Sequence, residues 1–171
     1  MKNRYDVIIV GTGVAGCFTA LHLTDDADIL MITKSDLEES DSFLAQGGIC
    51  VQKNDADYDS FYEDTMRAGH YENSPGSVDL MIRDSRSVIN ELIGYGVEFE
   101  KDSNGLSFTR EGAHSTNRIL YHDDITGQEI TSKLLLQVQS KRNVTLMTST
   151  AMVDILCRDG ACDGILVSDS D

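Results

Sequence analysis

The sequence predicts an α/β protein: a Rossmann-like dinucleotide-binding domain with a small β-hairpin or meander attached. Three observations carry that prediction. An apolar run, a G-x-G-x-x-G loop and an amphipathic segment follow one another directly from Tyr5. A second apolar run then completes a strand–helix–strand unit in about thirty residues. Near the far end, "AMVDILCRDGACDGILVSD" reads as a hairpin with its turn near Arg158 to Ala161.

The elements follow in order. Val7 to Val10, preceded by Asp6, form a continuous apolar run, the mark of a strand buried on both faces. Beyond Gly11, Gly13 and Gly16, the spacing of Val14, Ala15, Phe18 and Leu21 predicts the inner face of a helix. "ADILMIT" is the second strand, ending at Thr33. Residues 34 to 57 are polar and irregular, with the tight "AQGGI" among them, and a helix is expected from Tyr58 to about His70. Ser74 is an N-cap candidate ahead of Pro75 at a first helical position. Val78, Met81, Ile82, Ser85, Val88, Ile89, Leu92 and Ile93 then recur at helical spacing until Gly94 and Gly96 stop the helix. After a polar loop, Ile130, Leu134, Leu135 and Val138 predict a helix from about Thr126 to Lys141, and "VTLMTS" a strand.

Composition narrows the function classes. The formal net charge of −15 and a pI near 4.4 disfavour nucleic acid and anionic membrane surfaces, which demand clustered Lys and Arg. Small anions stay open, because a few placed cations and backbone N–H groups bind them locally. No apolar run reaches the roughly 18 residues of a membrane span. "MKNRYDVIIV" enters a strand without the apolar region and cleavage site of a signal peptide, so a cytoplasmic location is expected. Cys17, Cys50, Cys157 and Cys162 form no C-x-x-C pair and are expected to be free thiols, with no metal site.

Gly11, Gly13 and Gly16 work through backbone geometry: a tight turn, close approach to a pyrophosphate, and close helix–strand packing. The helix behind them offers unpaired N–H groups to phosphate. Where a carboxylate for a ribose hydroxyl is usual, the second strand ends in Thr33-Lys34. Lys34 suits a 2′-phosphate, as in an NADP site, or the ribose or pyrophosphate of FAD, so this position leaves the dinucleotide open. "SFLAQGGI", residues 42 to 49, offers backbone N–H groups to a flat ring or a phosphate.

"FTREGAHSTNRILYHDD", residues 108 to 124, gathers Arg110, Glu111, His114, Ser115, Arg118 and His122 in one polar stretch. A solvated loop needs none of these in particular, whereas a site for a small dicarboxylate uses most of them. Each arginine is equally readable as one half of a structural ion pair. His22 and His70 read as surface residues on helices.

Taken together, "VIIVGTGVAG", "SDSFLAQGGI" and "TREGAHSTNRILYHDDITGQEI" resemble, in the same order, the N-terminal part of the fumarate reductase and succinate dehydrogenase flavoprotein family. "REG-x-HS-x-x-RIL" and "D-x-TG" point to its L-aspartate oxidase branch. The resemblance implies a Rossmann-like FAD-binding domain. It implies that Gly11, Thr12, Gly13, Val14, Ala15 and Gly16 hold the pyrophosphate, with Lys34 near the adenosine half. It implies that Asp41, Ser42, Phe43, Leu44, Ala45, Gln46, Gly47 and Gly48 wrap the phosphates and isoalloxazine, and that the backbone at Met152 and Val153 meets the adenine. Asp41 stands where respiratory relatives link a histidine to the flavin, so FAD is expected to be non-covalent. Glu111 matches the family's active-site glutamate, which binds the substrate ammonium; Gln46, His114 and Ser115 are implied beside it for L-aspartate. The implied reaction is oxidation of L-aspartate to iminoaspartate in NAD biosynthesis, with quinolinate synthase as candidate partner. Family members are about three times this long and carry a capping domain. The 171 residues are therefore expected to be the N-terminal part of the FAD-binding domain of a longer parent, and inactive alone. The alternatives are a fumarate- or succinate-directed flavoprotein and a non-catalytic nucleotide-binding module; a pyridine-nucleotide dehydrogenase gives "AQGG" no role.

Overall fold

The computed structural model describes residues 4–103 and 105–169; Met1 to Asn3, expected to lead straight into the first strand, lie outside them. In chain order the elements are β1 (Val7–Val10), α1 (Val14–His22), β2 (Ile29–Ile32), α2 (Asp41–Leu44), β3 (Ile49–Cys50), α3 (Tyr58–Ala68), α4 (Pro75–Gly94), β4 (Lys101–Asp102), β5 (Gly105–Leu106), β6 (Ile119–Leu120), α5 (Thr126–Ser140), β7 (Val144–Met147), β8 (Thr150–Arg158) and β9 (Ala161–Asp169). One turn of 3-10 helix, Asp55–Asp57, leads into α3. Two compact units result: Met1–Leu44 with Ile130–Asp171, and Ala45–Glu129. Among the described residues, no helix is long and apolar enough to cross a membrane.

The first unit is built on a parallel sheet in the order β1-β2-β7. Val7 pairs with Ile29, and Ile29 in turn with Val144. β2 lies centrally, and all four of its residues are buried, as its uninterrupted apolar run requires. The helix after the glycine loop forms where expected, but its inner face is not Val14, Ala15, Phe18 and Leu21. Cys17 and Ala20 are the buried pair, Ala15 is exposed, and the other three are half-buried. The reason is close packing at Gly16. A Cβ there would fall well inside van der Waals contact of the Gly11 carbonyl oxygen. At that approach only small side chains fit inward, and the bulky ones move to the flanks. Burial pushes the Cys17 thiol up to about 11, so it serves as a small apolar group. α5 buries Ile130, Leu134, Leu135 and Val138. β8 and β9 form the expected hairpin, turning through Asp159 and Gly160 at φ of 52° and 79°.

In the second unit α3 and α4 enclose an apolar cluster of Phe61, Met66, Val78 and Ile82. Ser74 does cap α4 by position, with Pro75 behind it, but its hydroxyl makes no capping hydrogen bond. The stretches read as irregular contain short pairings that no periodicity could reveal. β3 pairs antiparallel with β6, Ile49 opposite Leu120 and Cys50 opposite Ile119, and the Val51 N–H continues the ladder to the Arg118 carbonyl.

Arg118 sits at the centre of this unit, fully buried. All five of its N–H donors have acceptors. Nε donates to Asp57 Oδ2 at 3.3 Å, and Nη2 to Asp57 Oδ1 at 2.8 Å and Ser60 Oγ at 2.7 Å. Nη1 donates to Asp64 Oδ2 at 2.6 Å and meets His114 Nδ1 at 3.0 Å. Asp64 Oδ2 also receives the N–H and hydroxyl of Ser115, each at 2.7 Å, and Oδ1 receives Arg67. Burial alone would raise both carboxyls, but hydrogen bonds from Ser115 and Arg118 to Asp64, and from Arg118 and Lys53 to Asp57, outweigh it and hold both below the usual range.

Three outcomes are expected. Gly16→Ala should lower stability by about 1–3 kcal/mol, whereas Gly76→Ala, with open space at its Cβ in the first turn of α4, should raise it by up to about 1 kcal/mol; urea melts compare them. Arg118→Ala leaves two buried carboxylates without their cation and should cost about 3–5 kcal/mol in the same assay. Both carboxyls are depressed in the fold, so their stabilisation is full above the unfolded carboxyl value of about 3.9 and disappears as pH falls through the folded values. The urea midpoint should therefore drop steeply below about pH 4.

Candidate functional site

Two clefts, one in each unit, collect part of the residues singled out from the sequence. The first, about 360 Å³, is lined by Gly11, Thr12 and Gly13 of the glycine loop, by Thr33 to Ser35 after β2, by Glu39 to Asp41, and by Thr150 to Met152 at the start of β8. Gly11 has a φ of 106°, a conformation that favours glycine, and its N–H is tied to the Ile32 carbonyl. Gly13 is the N-cap of α1 and has no side chain to satisfy the first-turn N–H groups at Val14 and Ala15. Those donors, the partial positive charge of the helix end and exposed Lys34 are the features an anion requires. A Cβ on Gly13 would stand 2.8 Å from the Ser42 hydroxyl, so the loop also needs glycine to make room for α2. Ser40 starts α2 by accepting the Phe43 N–H. This cradle of bare backbone, one cation and a volume in the ligand-pocket range fits part of a dinucleotide.

The structure brings Gly11, Thr12, Gly13, Lys34, Asp41 and Met152 to this cleft. Val14, Ala15 and Gly16 form the first turn of the helix behind it. Ser42, Phe43, Leu44 and Val153 do not line it; Ser42 packs against Gly13, and Leu44 and Val153 point to solvent. Glu39, Thr150 and Ala151 do line it, and only the fold identifies them; Thr150 and Ala151 arrive because β8 returns to β2 through the bond from the Thr150 N–H to the Thr33 carbonyl.

The second cleft, about 590 Å³, is lined by Gly48, Cys50, Phe61, Asp64, Asn73 and the turn Glu111 to His114, among others. Here the two polar motifs meet. Glu111 Oε2 faces the Gly48 N–H at 3.5 Å and lies 3.4 Å from where a Gly47 Cβ would stand. Gly48 must be glycine, since a Cβ would overlap the Leu120 carbonyl and the Ile119 side chain. Ala45, Gln46 and Gly47 are exposed, with the Ala45 carbonyl accepting the Gly127 N–H. Ser115 is committed to Asp64, whereas His114, half-buried and edge-on to Phe61, lines the cleft. Burial and the neighbouring Arg118 cation lower the His114 pKa against the opposing pull of Asp64, Asp57 and Glu111. Asn73 Oδ1 is buried without a hydrogen-bond partner among the described residues, leaving an acceptor at the cleft wall. Arg110 and Glu111 are exposed, and Arg118 is structural.

Comparison with known proteins fits this geometry. Residues 6–171 match the family model described as FAD binding domain. The chain is 46% identical over 166 residues to the L-aspartate oxidase of Clostridium perfringens, and 40% identical over 165 residues to that of Clostridium acetobutylicum. Those alignments cover 97% and 96% of this chain but 38% of each relative, so the chain spans well under half the length of the curated relatives it matches. Among solved structures, the FrdA subunit of Escherichia coli quinol fumarate reductase superposes with a TM-score of 0.89 at 23% identity, over 95% of this chain and 29% of that one. Mycobacterium smegmatis Sdh1 gives 0.86 at 23% identity, over 96% and 30%. These two likenesses establish the fold. The glycine loop, the first cleft and the matched span agree: the chain belongs to the FAD-binding-domain family, and FAD is its cofactor.

Proposed function

We propose that these residues form the N-terminal part of the flavin domain of an L-aspartate oxidase, with Glu111 binding the substrate ammonium. The observation that carries the reading is the Glu111 carboxylate, held over the N–H of Gly48 in a cleft shared with His114. A carboxylate at that place favours an amino acid over succinate, because it attracts an ammonium and repels a dicarboxylate that lacks one. The identity to the two clostridial oxidases across nearly the whole chain supports the same substrate.

Each part has a defined task. Gly11 to Gly13, the first-turn N–H groups of α1 behind them and Lys34 hold the anionic half of FAD through backbone N–H groups and one cation, which reconciles an acidic protein with an anionic cofactor. Met152 lines the first cleft and serves the adenine end. Asp41 lines it too and offers no imidazole, so the flavin is held non-covalently. Bound FAD supplies the hydride acceptor. Glu111 orients the α-amine, and His114 donates to a substrate carboxylate oxygen.

Two experiments test this. FAD added to the purified chain, followed by filtration, should leave retained and perturbed flavin absorbance, and acid precipitation should release all of it; Lys34→Glu should weaken retention about tenfold or more. Free flavin alone in the filtrate of a folded chain would remove the first cleft from the cofactor site. In the full-length parent, Glu111→Gln should raise KM for L-aspartate about ten- to a hundredfold with flavin content unchanged. Unchanged aspartate oxidation would rule Glu111 out as the ammonium ligand.

A further inference from the structure

The hydrogen-bond inventory around Arg118 fixes more than the fold. A guanidinium carries five N–H groups and accepts nothing. Nε and Nη2 direct three of them to Asp57 and Ser60, and one Nη1 proton goes to Asp64. The remaining Nη1 proton faces Nδ1 of His114 at 3.0 Å. That nitrogen must then be the lone-pair acceptor. A proton on it would set two donors against each other and strand a donor of a fully buried cation. With Nδ1 unprotonated, the single proton of the neutral ring sits on Nε2, and Nε2 has no hydrogen-bond partner among the described residues. The ring lines the cleft that also holds Glu111.

We infer that Arg118 is a positioning residue: it fixes His114 as the neutral Nε2–H tautomer, so that His114 presents an uncharged hydrogen-bond donor to an anionic oxygen of the ligand in the second cleft. The ligand class rests on the functional reading above; the tautomer does not. The geometry gives the cleft two opposite handles, an acceptor in Glu111 for a cationic group and a donor in His114 for a carboxylate. Asp57, Asp64, Glu111 and Arg118 are the charged groups that act on the ring, and the two aspartates are themselves engaged by Arg118. The cation therefore suppresses imidazolium formation while the carboxylates oppose it. A neutral donor at this place binds a carboxylate without drawing the Glu111 carboxylate into an ion pair that would close the cleft.

The test reads the tautomer directly. Long-range proton–nitrogen correlation spectra of the full chain with isotope-labelled histidine separate its four imidazoles, and His114→Gln assigns the relevant one. The expected result, without flavin or aspartate, is Nδ1 in the unprotonated range and Nε2 in the protonated range, persisting down to a pH below the ordinary imidazole value of about 6.5. Arg118→Lys, which cannot span both aspartates and the ring, should mix the tautomers and shift the His114 titration upward. A role confined to stability would lower the melting temperature of that variant and leave the His114 signals unmoved. If Arg118→Lys does not fold, the wild-type spectrum still decides. An Nδ1–H ring, or an unshifted titration in the wild type, overturns the inference. Such a failure would leave flavin retention and the Glu111 effect untouched, and loss of those would leave the tautomer measurement intact.

Discussion

The buried guanidinium of Arg118 is the constraint on which the second unit depends. Removing a cation from water is costly unless every donor finds an acceptor. Here that requirement recruits a carboxylate before α3, a second one two helical turns further on, a serine hydroxyl and an imidazole from the polar loop. The cluster thereby fixes the path of the loop between Glu111 and Arg118 relative to α3. Without it the loop would have little to hold it, since Arg110 to Ala113 are exposed. The guanidinium also lies 4.8 Å from the centre of the Phe61 ring, joining the ionic cluster to the apolar one.

The first unit solves a different problem by subtraction. Binding an anion with a chain of net charge −15 requires a local exception, and it comes from backbone N–H groups with the single cation of Lys34 rather than from a cluster of cationic side chains. Gly13 leaves the N-terminal N–H groups of α1 uncovered, and Gly16 lets the helix approach so closely that only Cys17 and Ala20 are buried on it. The same economy of side-chain volume makes the binding loop and shapes the adjacent core.

Much of this was legible beforehand because the signals were local. The apolar run of β2, the glycine spacing, the helical period of α4 and the turn near Arg158 to Ala161 each lie within one segment, and each appears where expected. The inner face of α1 was misread because periodicity reports apolarity and not the distance at which a helix packs. The pairing of β3 with β6 was invisible because two residues establish no period. The Arg118 cluster left a faint trace: Asp57, Phe61 and Asp64 fall at the spacing of one helical stripe, and carboxylates on an apolar stripe imply a buried cation. Which arginine supplied it could not be read, since Arg110 and Arg118 stand in the same loop.

The contact between Glu111 and Gly48 joins positions 63 residues apart, whereas the first cleft is closed by the Gly11 N–H reaching the Ile32 carbonyl and the Thr150 N–H reaching back to the Thr33 carbonyl. Loop closure of that length must come before the contact can reward it, and such pairings form late. The glycine loop can thus meet β2 early, but the nucleotide cradle is complete only once β8 has returned to β2. The second cleft acquires its carboxylate only once β3 has found β6. Each cleft therefore waits on a long closure of its own, the first on β8 reaching β2 and the second on β3 reaching β6, so a lesion that delays one closure need not delay the other.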